Sequence, residues 1–373
     1  MKRLFNIFFC ILGSKKIFSV EKNKFVIFDC VNSKILSEIL PKNQTYIISA
    51  RINLIKKILI NSNSLSFLIK NLFSRSIQLN YFINLILQIQ PKVVFTTIDN
   101  SKNFSILTKY FEGKVKFVAI QNGTRGDIYE NENNTNQTLY FQNYLGFSNF
   151  DLEIMKKRDI KIKNFYSVGS LKNSYFRKYI QKKTDNQNKN FDICFVSKRI
   201  FENDQKVPGK AAEDNFTLLK LLAHYIKKYN KSIIIQSKSK KLNLVEKIFF
   251  DRLFTGTNYK IDLLDNELKF NSYKNISSSK IIVGAPSTLL REASVYSDTK
   301  ILCFSTDNKD DKYPFVGLNL LRENSFEKFD ERLNLLFALT YEEYAKKLQS
   351  KHNYLMENID TIEYLREFIK NGS

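Results

Sequence analysis

Five short polar segments carry the residue types that chemistry at an anionic ligand needs. Asp99, Asn100 and Ser101 follow one apolar run, and Gln121, Asn122, Gly123, Thr124, Arg125, Gly126 and Asp127 follow the next. Lys198 and Arg199 follow a third run, and Gln236, Ser237 and Lys238 a fourth. The fifth segment is Pro286, Ser287, Thr288, Leu289, Leu290, Arg291 and Glu292, entered from the run KIIVGA. A carboxylate at such a position can take a proton from a hydroxyl, and guanidinium or ammonium groups can neutralise phosphate. Glycines at 123 and 126 let backbone amides come close to a ligand. In the fifth segment a strand ends in Gly-Ala, Pro286 and Ser287 make the turn, and a helix starts at Thr288. Unpaired first-turn amides with two hydroxyls there form a phosphate site that needs neither lysine nor metal. The plainer alternatives are that Ser287 only caps the helix and that Asn122-Gly123 only makes a turn.

These segments matter because of what precedes them. The runs KFVIFD (24–29), TYIIS (45–49), KVVFTTID (92–99), VKFVAIQ (115–121) and FYSVGS (165–170) are short and almost wholly apolar. Continuous apolar runs suit parallel strands buried on both faces. Helix-like stretches at 32–40 and 65–89, the latter stopped by Pro91, lie between them. After a segment without apolar residues, QKKTDNQNKN (181–190), the alternation restarts with FDICFVS (191–197), SIIIQ (232–236), KIIVGA (280–285) and KILCFS (300–305). A helix between the first two carries Glu213 and Asp214 at its start and Lys227 and Lys228 at its end, complementing its dipole. His224 sits beside that helix's apolar face and reads as structural. Residues 323–370 contain no Gly or Pro and read as helical. The prediction is an α/β protein of two Rossmann-like domains facing across a cleft, residues 1–180 and 191–322, joined by a linker at 181–190, with a helical tail at 323–373 packing back across them. Ligands bind such sheets beyond the carboxyl ends of the strands, where the five polar segments fall.

Composition narrows the class. The chain has 373 residues, 43% of them hydrophobic, 59 Lys and Arg against 37 Asp and Glu, and a formal charge of +22. That excludes a disordered chain, and 11 Gly with 5 Pro exclude a collagen-like or proline-rich one. Residues 1–180 hold 27 basic and 11 acidic side chains, so the excess is concentrated in the first half. Scattered Lys, no Trp and no zinc-finger or RNP pattern argue against nucleic acid. Cys10, Cys30, Cys194 and Cys303 form no CxxC and read as reduced thiols of a cytoplasmic protein. With His224 and His352 the only histidines, a His/Cys zinc site is not expected, nor any other metal or cofactor. The start, MKRLFNIFFCILGSKK, lacks a cleavage site and is too short to span a bilayer. It reads either as a basic-ended helix lying on an anionic membrane surface or as a first core element.

The runs VVFTTIDN, VKFVAIQNGTRGD, FYSVGSLKNSYF, FDICFVSKR and IIVGAPSTLLREAS resemble, in this order, the bacterial surface carbohydrate biosynthesis proteins first grouped from spirochaete polysaccharide loci. The resemblance covers residues 25–304 and implies a GT-B glycosyltransferase, distantly similar to Kdo and sialic acid transferases and to teichoic acid polymerases. It implies a metal-independent enzyme with a nucleotide-sugar donor in the C-terminal domain at Ser287 and Thr288, and a glycan or lipid-linked acceptor on the N-terminal domain. No Asp/Glu-Asp/Glu-Gly and no His-Pro occur, which argues against a CMP-linked donor. Transfer of this kind implies a carboxylate base. Asp99 ranks first, Asp127 second and Asp29 third. Arg125, Lys198 and Arg199 are expected to face the leaving phosphate, and Glu292 either the donor ribose or merely the helix dipole. The implied place is the cytoplasm, peripheral on the inner face of the cell membrane. A teichoic-acid-type CDP-alcohol phosphotransferase, a GT-B sugar epimerase and a non-catalytic binding subunit fit the same framework.

Overall fold

The computed structural model describes the chain apart from residues 1–12, 52–53, 72–73, 126–137, 159, 182–188, 199, 203–204, 208, 240, 242–243, 264–267, 297, 308–312, 349–351 and 373. Asp127, Arg199, the apolar N-terminal stretch and most of the expected linker therefore lie outside the described residues. In the N-terminal domain the strands are β1 (Lys15–Ile17), β2 (Phe25–Phe28), β3 (Thr45–Ile48), β4 (Lys57–Leu59), β5 (Val93–Thr96), β6 (Lys116–Ile120), β7 (Tyr140–Gly146) and β8 (Lys161–Ser167). Its helices are α1 (Lys34–Ile39), α2 (Ser62–Lys70), α3 (Ile77–Ile89), α4 (Lys102–Tyr110), α5 (Asn149–Lys157) and α6 (Leu171–Tyr179). The C-terminal domain has β9 (Phe191–Val196), β10 (Phe201–Glu202), β11 (Gln205–Lys206), β12 (Ile233–Gln236), β13 (Tyr259–Asp262), β14 (Ser279–Gly284), β15 (Lys300–Phe304) and β16 (Leu320–Leu321). It adds α7 (Lys210–Tyr229), α8 (Leu244–Leu253), α9 (Asn271–Ser277) and α10 (Thr288–Ala293), and the tail is α11 (Phe326–Ala338), α12 (Tyr341–Leu348), α13 (His352–Leu355) and α14 (Thr361–Gly372).

Each domain is built on a six-stranded parallel sheet, in the orders β3-β2-β5-β6-β7-β8 and β13-β12-β9-β14-β15-β16. Seven of the nine expected apolar runs fill inner positions, while TYIIS and FYSVGS contribute to the edge strands β3 and β8; FVIF of β2 and VVFT of β5 are buried throughout. Strand order reverses between β2 and β5 in one sheet and between β9 and β14 in the other, so each domain has a crevice at the carboxyl ends of those strands. At the second crevice Gly284 packs tightly on β9: a Cβ there would lie 3.0 Å from the Val196 carbonyl oxygen.

The helix expected over 65–89 is two helices. Asn71 ends α2, and the Ser76 side chain starts α3 by accepting from the Leu79 amide. The tail is four helices: Phe329, Leu333, Leu336 and Tyr344 of α11 and α12 pack on the C-terminal sheet, and Leu355, Ile362 and Leu365 join a cluster with Val168, Leu171 and Phe176 of the N-terminal domain. Gly169, at φ +74, admits that return, since a Cβ would sit 2.4 Å from the Glu357 carbonyl oxygen. Among the described residues no helix is long and apolar enough to cross a membrane.

The two domains are joined by a buried ion pair. Arg291 of α10, fully buried, donates to both carboxylate oxygens of Asp151 on α5, at 2.9 and 2.8 Å. Its Nε donates to the Leu355 carbonyl of the tail and its Nη2 to Ser148 Oγ, while its guanidinium lies over Phe147 and Phe150. Removing one partner of such a pair leaves a buried charge uncompensated, which costs about 3–5 kcal/mol. Asp151→Ala is therefore expected to lose about that much unfolding free energy in urea, far more than an exposed-pair variant such as Glu331→Ala, for which a surface pair predicts under about 1 kcal/mol.

Candidate functional site

The C-terminal crevice opens into a cleft of about 410 Å³ between the domains. Its C-terminal wall comes from three strand ends: Ser197 and Lys198 after β9, Gln236, Ser237 and Lys238 after β12, and Pro286, Ser287, Thr288, Leu289 and Glu292 after β14. Asn122, Thr124 and Lys172 close it from the N-terminal domain, and Ser272, Tyr273 and Tyr313 complete it. Three lysines, Lys172, Lys198 and Lys238, thus border one cavity, with a single carboxylate, Glu292, among the described lining residues.

The segment after β14 combines both readings made of it. Ser287 caps α10, its Oγ accepting from the Leu290 amide at 3.2 Å. Thr288 Oγ1 accepts from the Thr124 amide at 2.8 Å, tying the two domains across the cleft floor. The Thr288 and Leu289 amides precede the first intrahelical bond and belong to residues that line the cavity. Lys198 is set by its own amide, which donates to Asn215 Oδ1 of α7. Gln236 lines the cleft but is engaged: its Oε1 accepts from Asn275 and its Nε2 donates to the Ser237 carbonyl.

Expectations for six residues change. Asp99 cannot act as a base in this arrangement, because it is fully buried and all its acceptor positions are used. Its Oδ1 accepts from Arg125 Nη2 and, at 3.4 Å, from the Asn122 amide; its Oδ2 accepts from Arg125 Nε at 2.8 Å and Tyr144 Oη at 2.6 Å. Asp99 is a positioning residue that anchors Arg125, and Arg125 is correspondingly committed. Arg291 is no donor ligand; it is the buried inter-domain pair. Gln121, buried, donates to Asp151 Oδ1 at 2.7 Å and accepts from the Phe147 amide, so it braces that pair and borders only a smaller cavity. Asn100 lies in the half-buried turn after β5 and is not part of the cleft lining. Gly123 stands beside Thr288, 3.4 Å from where its Cβ would be. Asp29 is buried at φ +78 and accepts from Arg51 Nε and the Val31 amide, away from the cleft. His224 is exposed and stacks on Phe326 at 3.7 Å.

Lys172, Ser272, Tyr273 and Tyr313 are among the lining residues that reading the sequence missed, whereas Thr124 belongs to the second polar segment it singled out. Lys172 is the second residue of α6, and only the meeting of the two domains brings it to the cleft. It borders both this cavity and the smaller one at the N-terminal crevice, which is lined by Asn32, Thr97 and Ser170. Glu292 also borders both. It accepts from Ser170 Oγ of one domain and from Tyr273 Oη of the other at 2.8 Å. Burial holds its carboxyl above the usual range, against the pull of Ser170 and Lys172. Among the described residues no group of three His, Cys, Asp or Glu could hold a metal ion.

No protein-family model and no curated protein matches this sequence. Solved structures do match in fold. UDP-GlcNAc 2-epimerase from Neisseria meningitidis bound to UDP-GlcNAc aligns at a TM-score of 0.56 and 13% identity, covering 94% of this chain and 100% of the other. The wall teichoic acid polymerase TagF, as an H548A variant, aligns at 0.51 and 9%, covering 93% and 88%. Sucrose-phosphate synthase from Thermosynechococcus elongatus aligns at 0.51 and 8%, covering 94% and 98%. The fold is therefore that of the GT-B proteins, two parallel-sheet α/β domains facing across a cleft.

The raised Glu292 carboxyl has a consequence for stability. The folded protein keeps that proton to higher pH than the unfolded chain, so between the two pKa values the native state binds more protons and stability falls as pH rises. Urea unfolding of Glu292→Gln, repeated from the ordinary glutamate range up to neutral pH, is expected to lose this downward slope. Parallel profiles for the variant and the wild type would contradict the assignment.

Proposed function

We propose that this protein is a glycosyltransferase that moves a sugar from a nucleotide sugar to a growing surface polysaccharide or lipid-linked glycan at the inner face of the cell membrane. The observation that carries the reading is the convergence of Lys172, Lys198, Lys238 and the first turn of α10 on one cleft at a strand-order switch point. Three ammonium groups with first-turn amides suit a diphosphate, whose charge grows as the bond to the sugar breaks. Glu292 accepts the ribose hydroxyls, and Tyr273 flanks them. The acceptor enters from the N-terminal side. There a base removes the hydroxyl proton, the oxygen bonds to the anomeric carbon, and the carbon–phosphate oxygen bond breaks to release the nucleotide. With Asp99 committed to Arg125, we assign the base to Asp127, two residues beyond that arginine in the chain.

One observation keeps a second reading open. The N. meningitidis protein, at a TM-score of 0.56, is by its name an epimerase of a nucleotide sugar. An epimerase would convert the donor without any acceptor, whereas a transferase releases nucleotide only when an acceptor takes the sugar.

A thermal-shift panel of CMP, CDP, UDP, GDP and their sugars is expected to give a rise in melting temperature with one nucleoside diphosphate, equivalent to about 2.7 kcal/mol at a hundredfold excess over its Kd. Lys198→Ala should weaken that ligand about ten- to a hundredfold, the worth of one charge-assisted hydrogen bond. No shift with any nucleotide would sink the donor site. For the base, Asp127→Asn is expected to slow transfer by about 10²–10⁴ with the melting temperature unchanged. Asp99→Asn should lower the melting temperature by freeing Arg125. Unaltered turnover in Asp127→Asn would overturn the base assignment.

A further inference from the structure

The N-terminal domain carries a helix, α2, whose inward side mixes polar Asn61 and Ser64 with half-buried Phe67 and Leu68, Phe67 packing on the core. The one fully buried side chain of α2 is Ser64, which accepts from Asn84 Nδ2 at 2.8 Å and Gln88 Nε2 at 3.0 Å on α3. Asn61, its N-cap, donates to Gln88 Oε1 at 2.8 Å and to the Phe18 carbonyl at 3.1 Å. Leu65 and Ile69, one turn apart on the opposite side, are 58% and 65% exposed. Phe18, beside the start of the same helix, is 73% exposed, and Ile60 just before it is 37% exposed. Four apolar side chains on or next to α2 are thus exposed, more than the scatter of single exposed residues a soluble surface carries.

The charges on these segments are predominantly basic, with Glu21 the nearest carboxylate to Phe18 in the chain. Lys15, Lys16, Lys56, Lys57 and Lys70 are exposed, and no acidic residue occurs between Glu38 and Asp99. Lys15 and Lys57 are direct partners in the parallel β1–β4 ladder, both exposed, a like-charge pairing that an anionic surface would relieve. Outward apolar side chains ringed by lysines match the boundary of an anionic bilayer, where the chains enter the acyl region and the ammonium groups stay among headgroups.

We infer that α2 and the β1–β4 ladder form the surface by which this protein lies on an anionic lipid bilayer, with Phe18, Leu65 and Ile69 inserted and Lys15, Lys56, Lys57 and Lys70 on the headgroups. The inference deepens the proposed function, resting on it only for the use of such a surface, which is to reach a lipid-linked acceptor. Binding to vesicles needs neither donor nor acceptor, so its failure and the failure of the nucleotide panel are separate results.

The test is flotation of the full chain with vesicles of phosphatidylcholine alone or with about 30% phosphatidylglycerol, beside light scattering for oligomeric state. The wild type should float with the anionic vesicles and be released as salt rises toward about 0.5 M. Leu65→Glu with Ile69→Glu should abolish flotation. Lys56→Glu with Lys57→Glu should weaken it by at least about tenfold. Leu335→Glu, an exposed site on α11, should float as the wild type does. The α2 substitutions fall on exposed positions, and melting curves matching the wild type would show that the fold is kept. A wild type that ignores anionic vesicles, equal flotation of all variants, or a wild-type dimer that Leu65→Glu dissociates would each overturn the inference, the last in favour of a second copy of the chain.

Discussion

The Arg291–Asp151 pair is the interaction on which the rest of the arrangement depends. A guanidinium with no exposed surface is tolerable only when its donors are satisfied, and here Asp151, Ser148 and the Leu355 carbonyl take them. These partners come from α5, the turn before it, and the tail, so satisfying Arg291 fixes three parts of the chain together. Because Arg291 lies on α10, whose first turn borders the cleft, the same pair sets where the N-terminal domain stands relative to the C-terminal crevice. Gln121 extends the constraint by bonding Asp151 and the Phe147 amide at once.

The polar groups near the cleft divide accordingly into those that hold the domains and those that face the cavity. Asp99, Arg125, Gln121 and Arg291 are charged or polar, lie near strand ends, and are spent on the protein itself. Lys172, Lys198, Lys238 and Glu292 border the cavity. Glu292 belongs to both groups, since Ser170 and Tyr273 hold it from opposite domains while it still borders both cavities. Its raised carboxyl pKa follows from that enclosed position.

The central strands were legible because burial on both faces demands continuous apolar runs, and such runs are hard to mistake. Strand β7 was not, because Gln142 and Asn143 interrupt it. They bond the Phe117 amide and carbonyl across the sheet, so polar side chains inside a strand look like a loop. Strand β8 begins at Lys161 rather than 165 because it is an edge strand with half its surface in solvent, where KIKN is acceptable. The strand-end loops were found by their position. Their division of labour was not, since an aspartate that anchors an arginine and one that takes a proton are the same residue type in the same place. Lys172 and Tyr273 come to the cleft only through tertiary packing, and no local pattern announces them.

We propose that the domain contact made by Arg291 presents the second crevice as the nucleotide site. A crystal structure of the protein with a bound nucleoside diphosphate tests this most directly. The account predicts the phosphates against Lys198, Lys238 and the Thr288–Leu289 amides, the ribose against Glu292, and an intact Arg291–Asp151 pair. Density for the nucleotide on the N-terminal crevice instead, or bound at the second crevice with that pair broken, would contradict it.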